Sequence, residues 1–193
     1  MFLNSNSNSV NINTPMARSI FSNLFIQHVN KHSSNTYRDL VFLCIGSDRS
    51  TGDALGPLVG YKLSKSLLSY DNIHIYGTLN EPVHAKNLEN NIELIYSNHK
   101  NPFIIAIDAC LGRIGRVGYI SIGEGPLSPG AGVNRNLPPV GDIHIMGVVN
   151  LGGYMQYMVL QNTRLNLVMQ MAEIISEGIS FAMWKENKRK ILS

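Results

Sequence analysis

Short unbroken apolar runs alternate along the chain with longer stretches whose apolar residues return every three or four positions. The first run, LVFLCIG at 40–46, has the pattern of a strand covered on both faces. A polar, Gly-containing loop follows at 47–52, and then Leu55, Val59, Leu63 and Leu67 recur every four residues, which marks one face of a helix. Gly56 before Pro57 suits a cap followed by proline at the first helical position. Ile73 to Gly77 predicts a second strand, and Pro82 opens a helix with Ala85, Leu88, Ile92 and Ile95 on one side. FIIAI at 103–107 is a third buried strand, and 117–122 a fourth, alternating through Val117, Tyr119 and Ser121. A Gly/Pro-rich loop spans 123–141 and precedes a fifth strand at 143–149. The stretch 152–186 reads as helical, with a break near Asn162-Thr163 and methionines that fill core space.

Upstream, Ile20, Leu24, Phe25 and Val29 place a first helix at about 16–32, joined to the core by a polar segment at 33–39. NSNSNSVNINT at 4–14 is low in complexity and apolar content, and reads as a flexible arm. Strand–helix alternation with doubly buried strands argues for an α/β protein, a three-layer α/β/α sandwich around a mostly parallel sheet. The expected organisation is an arm at 1–15, a single domain at 16–186 and a basic tail at 187–193. A chain of 193 residues suits one such domain.

Charge narrows the partners. The net charge is +3, and the last nine residues alone carry four cations against Glu186, so the rest of the chain is neutral. The basic balance thus describes a helix end rather than a nucleic-acid-binding face. Cys44 and Cys110 sit in apolar runs and give no disulfide framework, as expected of reduced thiols in the cytoplasm. No secretory signal pattern and no window of ~20 apolar residues is present, so no membrane partner is expected. The segment holding Tyr154, Met155, Tyr157 and Met158 fits either core burial or a contact between copies in a homo-oligomer.

In parallel sheets, ligands gather beyond the carboxyl ends of the strands. There the chain places Ser47, Asp48, Arg49, Ser50, Thr51, Gly52 and Asp53 after the first strand, Asn80, Glu81 and His84 after the second, and Asp108 and Arg113 after the third. An Asp in this position can also cap the following helix. Asp108, however, directly follows five apolar residues, where a bare carboxylate needs a partner. Two carboxylates on one rim push their pKa values apart and so supply an acid and a base together. With His84 they would alternatively make a divalent-metal site. His28, His74 and His144 read as surface or hydrogen-bonded residues. The loop GSDRSTGDALGP follows a strand and precedes a helix, but it lacks the Lys of a phosphate loop and GxGxxG, and its aspartates would repel phosphate.

Four stretches, CIGSDRSTGDALGP (44–57), YGTLNEPVHAKNLE (76–89), IDACLGRIGRVGYISIGEGPLSPGAGVN (107–134) and LPPVGDIHIMGVVNLGGYMQYMVLQNTRLNLVM (137–169), closely resemble the YyaC family of sporulation proteins. The resemblance runs from about 40 to about 180 and leaves out the Asn/Ser arm. That family is similar to the spore germination protease and, more distantly, to hydrogenase maturation endopeptidases. The germination protease pattern of an Asp before Ala-Leu-Gly-Pro is matched by Asp53, its second Asp by Asp108, and its Pro-Gly-x-Gly-Val loop by Pro129 to Val133. In the maturation endopeptidases, acids at the two Asp positions and a His bind nickel. The segment 123–141 has no His, which leaves His84 as a non-homologous substitute.

The resemblance implies a peptidase-like hydrolase of sporulating cells, acting in the cytoplasm on a peptide or protein such as a spore protein. Asp53 and Asp108 would be catalytic. Ser47, Asp48, Arg49, Asn80, Glu81, His84, Arg113, Gly130 and Asn134 would support binding. No cofactor is required by this chemistry, and a divalent metal is the open alternative. The competing reading is a non-catalytic module that binds a peptide or partner.

Overall fold

A computed structural model of the chain describes residues 8–32, 39–129 and 137–192. The elements follow in the order β1 (Ser9–Asn11), α1 (Ala17–His32), β2 (Leu40–Cys44), α2 (Leu55–Ser66), β3 (Ile73–Tyr76), α3 (Leu88–Asn98), β4 (Phe103–Gly112), β5 (Tyr119–Glu124), β6 (Ile143–Leu151), α4 (Gln156–Gln161) and α5 (Leu165–Leu192). They form one six-stranded sheet in the order β1-β5-β6-β4-β2-β3. The β3, β2, β4 and β6 strands are mutually parallel, and β5 runs antiparallel to both β6 and β1.

The unbroken apolar runs are explained by helices on both faces. Phe42 and Cys44 of β2, with Ile105 and Ile107 of β4, face a core shared with α1, α2 and α5. The intervening Val41, Leu43, Ile104 and Ala106 face the opposite side, where Leu88 and Ile95 of α3 cover them. The α/β class and the three layers are therefore as the pattern predicts. No helix among the described residues is long and apolar enough to cross a membrane.

Four local readings change. The Asn/Ser stretch is not wholly a free arm, because Ser9, Val10 and Asn11 pair with Ser121, Ile120 and Tyr119 as β1. Val10 is 4% exposed, and Ile12 packs beside the same core. Backbone pairing at a sheet edge needs little apolar sequence, and the alternation of Val10 and Ile12 was its one signal. Gly56 does not cap α2. A short 3-10 turn at Gly52–Ala54 leads into the helix, and Pro57 takes the third helical position, where its missing N–H is still no loss. Pro82 does not open α3, which begins at Leu88. The intervening turn is held by Asn87, whose side chain accepts from the His84 amide (2.8 Å) and donates to the Pro82 carbonyl (3.1 Å). Residues 187–192 continue α5 instead of forming a separate tail. The break between α4 and α5 falls where expected, with Thr163 Oγ1 donating to the Val159 carbonyl.

Candidate active site

The site arises where β2 stops and β4 continues. Cys44 is the last β2 residue paired to β4, opposite Ile107, so Asp108 is the first β4 residue beyond that pairing. Asp108 follows Ile104 and Ala106 in the alternation, which turns it toward the α3 side of the sheet.

The chain after β2 then folds back. The Ser47 amide donates to the Asp53 carbonyl (3.1 Å), which closes the loop over Gly46. Gly46 has φ +142°, and a Cβ there would lie 2.0 Å from the Asp53 carbonyl oxygen, so only glycine fits. Gly56 plays the complementary part, since its Cβ would meet the Ile45 carbonyl at 2.0 Å. These two approaches fix Asp53, on the 3-10 turn, against the end of β2. From the next crossover, a parallel bridge between Ile45 and Val83 brings His84 to the same rim.

Asp53, His84 and Asp108 line one cavity of about 280 Å³, together with Ser47, Arg49, Ser50, Lys86, Cys110 and Tyr157. Asp108 is 7% exposed, and its Oδ1 accepts from the Ala109 amide at 2.8 Å. Burial raises its pKa well above the carboxylate range, and the Asp53 charge raises it further, against the Ala109 amide. Burial also raises Asp53, but the Ser47 amide and His84 oppose that shift. The two acids are thus unequal: Asp53 is the one with support for its charge, and Asp108 the one that holds its proton. Burial, and then Asp108, push Cys110 up to about 11, so it is a neutral thiol at physiological pH rather than a nucleophile.

Not every expected residue arrives. Asp48, Asn80, Glu81 and Arg113 are exposed and do not line the cavity. Asn80 and Glu81 sit on the outward turn closed by Thr78 Oγ1, and Arg113 leads the 3-10 turn past the end of β4. Gly130 and Asn134 lie outside the described residues.

Ser50, in contrast, was given no binding role, yet it is 8% exposed, and its Oγ is a buried polar atom without a hydrogen-bond partner in the wall of the cavity. His84 Nδ1 is likewise buried without a partner. The α4 segment supplies an exposed apolar margin: Tyr154 is 97% and Met155 69% exposed, and Tyr157 reaches the cavity. These exposures exclude the core-burial reading of that segment.

Asp53, His84 and Asp108 do not bring three ligand atoms within 4.8 Å of one another, a condition met among the described residues by a different group. A three-ligand metal cage therefore does not fit this arrangement of side chains.

A family model described as "Protein of unknown function (DUF1256)" matches residues 9–178. The chain belongs to this family. The match begins at β1, so the family includes the edge strand that the resemblance over 40–180 left out. "Uncharacterized protein YyaC" of Bacillus subtilis (strain 168) is 56% identical over 154 residues, which cover 78% of this chain and 74% of that protein. A hydrogenase maturation protease, HycI from Thermococcus kodakarensis KOD1, matches with a TM-score of 0.51 and 19% identity, over 76% of this chain and 93% of that one. That similarity is one of fold, and it places the chain among mostly parallel α/β proteins of the same architecture.

Proposed function

We propose that the chain is a peptidase-like hydrolase in which Asp53 and Asp108 divide the work of base and acid. One observation carries this reading: the two carboxylates share a small cavity, and although burial raises both, Asp108 is raised well above the carboxylate range while the Ser47 amide and His84 oppose the rise of Asp53. In the proposed reaction a water lies between them. Ionised Asp53 takes a proton from that water as its oxygen attacks the peptide carbonyl carbon. Asp108 donates its proton to the carbonyl oxygen. As the carbon–nitrogen bond breaks, the oxygen's proton returns to Asp108, and the proton held by Asp53 passes to the leaving amine. The products are a carboxylic acid and an amine, and both aspartates end as they began.

His84 steadies the Asp53 charge, and the cationic Arg49 and Lys86 at the wall suit a developing oxyanion or a substrate carboxylate. The substrate class is a peptide segment, with spore proteins as the first candidates, and the setting is sporulation. The family resemblance supports both.

The test is incubation of the full chain with spore proteins and unstructured peptides from pH 5 to 8, with new chain termini read by mass spectrometry. Asp53→Asn and Asp108→Asn should each lower cleavage by about 10²–10⁴, the usual share of one acid–base group. Cleavage that persists unchanged in the double variant contradicts the assignment.

The exposed margin of Tyr154, Met155 and Tyr157 beside the cavity favours a second reading, peptide capture without hydrolysis. Full rescue of a deletion strain by the double Asn variant would select it.

A further inference from the structure

At the opposite end of the sheet, Asp39 precedes β2, His74 is the second residue of β3, and His99 follows α3. His74 Nε2 lies 3.0 Å from Asp39 Oδ1, and His99 Nδ1 lies 4.0 Å from Asp39 Oδ2. The two imidazoles stack with centroids 3.9 Å apart. One ligand atom from each of the three residues falls within 4.8 Å of the other two. The side chains are partly covered, at 29% exposure for His74, 23% for Asp39 and 10% for His99. We infer that Asp39, His74 and His99 form a binding site for a borderline divalent cation of the zinc class, which clasps the end of α3 to the edge of the sheet.

The donor chemistry supports it. Two imidazole nitrogens and one carboxylate oxygen are a set that zinc takes, with a fourth position left for water. Bonds of about 2.0–2.1 Å put tetrahedral donors about 3.3 Å apart. The 3.0 Å pair already meets that spacing, and since one donor from each residue lies within 4.8 Å of the other two, closure of at most about 1.5 Å completes the set. The far nitrogen of His99 is also engaged: its Nε2 is 2.9 Å from the Tyr76 hydroxyl. With Nε2–H donating to that oxygen, Nδ1 keeps its lone pair toward Asp39, the outer-shell arrangement typical of a metal-bound histidine. A simple ion pair would account for Asp39 and His74, but not for a second imidazole stacked on the first with its free nitrogen turned to the same carboxylate. The backbone on either side is firm, since the Asp39 carbonyl accepts from the Phe103 amide at 2.8 Å.

The experiment uses the untagged full chain, with Zn(II) followed by chelator competition and Co(II) followed by its visible absorption. One equivalent of Zn(II) should bind and raise the melting temperature, and Co(II) should give the intense bands of a tetrahedral site. His74→Ala and His99→Ala should each weaken binding at least tenfold, and Tyr76→Phe about tenfold or more through the lost outer-shell bond. Asp53→Asn, Asp108→Asn and His84→Ala, at the other end of the strands, should leave affinity unchanged. No uptake by the unaltered chain overturns the inference. Uptake that survives His99→Ala or disappears in Asp108→Asn does so as well. Tyr76→Phe removes only one oxygen, so it reports on the site even if an alanine variant fails to fold.

Discussion

Replacing Asp108 by Asn should make the protein more stable at neutral pH while removing the proposed activity. The native carboxyl holds its proton well above the ordinary range, because it is buried and faces Asp53. In the unfolded chain it ionises near pH 3.9. Between those two values the native state carries one more proton than the unfolded state, so stability falls as pH rises, at about 1.4 kcal/mol per pH unit for the group. Below the unfolded pKa this cost is absent. Asn has nearly the same shape, and its oxygen can still accept from the Ala109 amide, the bond that Asp108 makes at 2.8 Å. The variant therefore loses the titration and keeps the contact. With a urea m-value of about 2.5 kcal/mol/M, near the upper part of the usual range, each pH unit should widen the gap between midpoints by about 0.5 M. Urea unfolding followed by circular dichroism from pH 3.5 to 8 reads this directly. The two curves should meet at the acid end and separate upward through the window. Parallel curves, or an Asn variant that is less stable at pH 7, would refute the burial argument.

Other consequences are equally specific. Gly46→Ala should destabilise by about 2 kcal/mol or more, since it combines a left-handed φ with a backbone clash against the Asp53 carbonyl, and the melting temperature should fall accordingly. Cys110 should react with iodoacetamide about two hundredfold more slowly at pH 8 than an ordinary thiol, given its pKa near 11. Val10→Ala should cost about 1–2 kcal/mol by chemical denaturation, because β1 buries that side chain; no effect would mean the edge strand is not formed in solution.

Much of the fold was legible because its determinants are local. LVFLC and FIIAI are apolar at every position, which only a strand covered on both faces satisfies, and the α2 face repeats every four residues. The edge strand β1 was harder to see, since Ser9 and Asn11 contribute backbone bonds that any residue can make. The start of α2 was misplaced because Gly56 serves a close approach to Ile45, a tertiary reason that no capping rule contains. Within the site, Asp53, Asp108 and His84 could be named from their positions after strands. Asp48, Asn80, Glu81 and Arg113 satisfy the same positional rule yet turn outward, because the rule gives the rim and not the side of the loop. Ser50 lay on the same rim but was given no role for the converse reason: a serine in a polar loop shows nothing of its burial until the loop folds over Gly46. The cluster of Asp39, His74 and His99 joins residues from three separate segments, and only the sheet register brings them together.

The most direct test of the central claim is a carbon-detected carboxyl NMR titration of Asp53 and Asp108 in the unaltered chain and in Asp53→Asn. Asp108 should titrate well above the ordinary carboxylate range, later than Asp53, and its midpoint should drop part of the way back when residue 53 is neutral. Two ordinary titrations near pH 4, with Asp108 indifferent to the substitution, would contradict it.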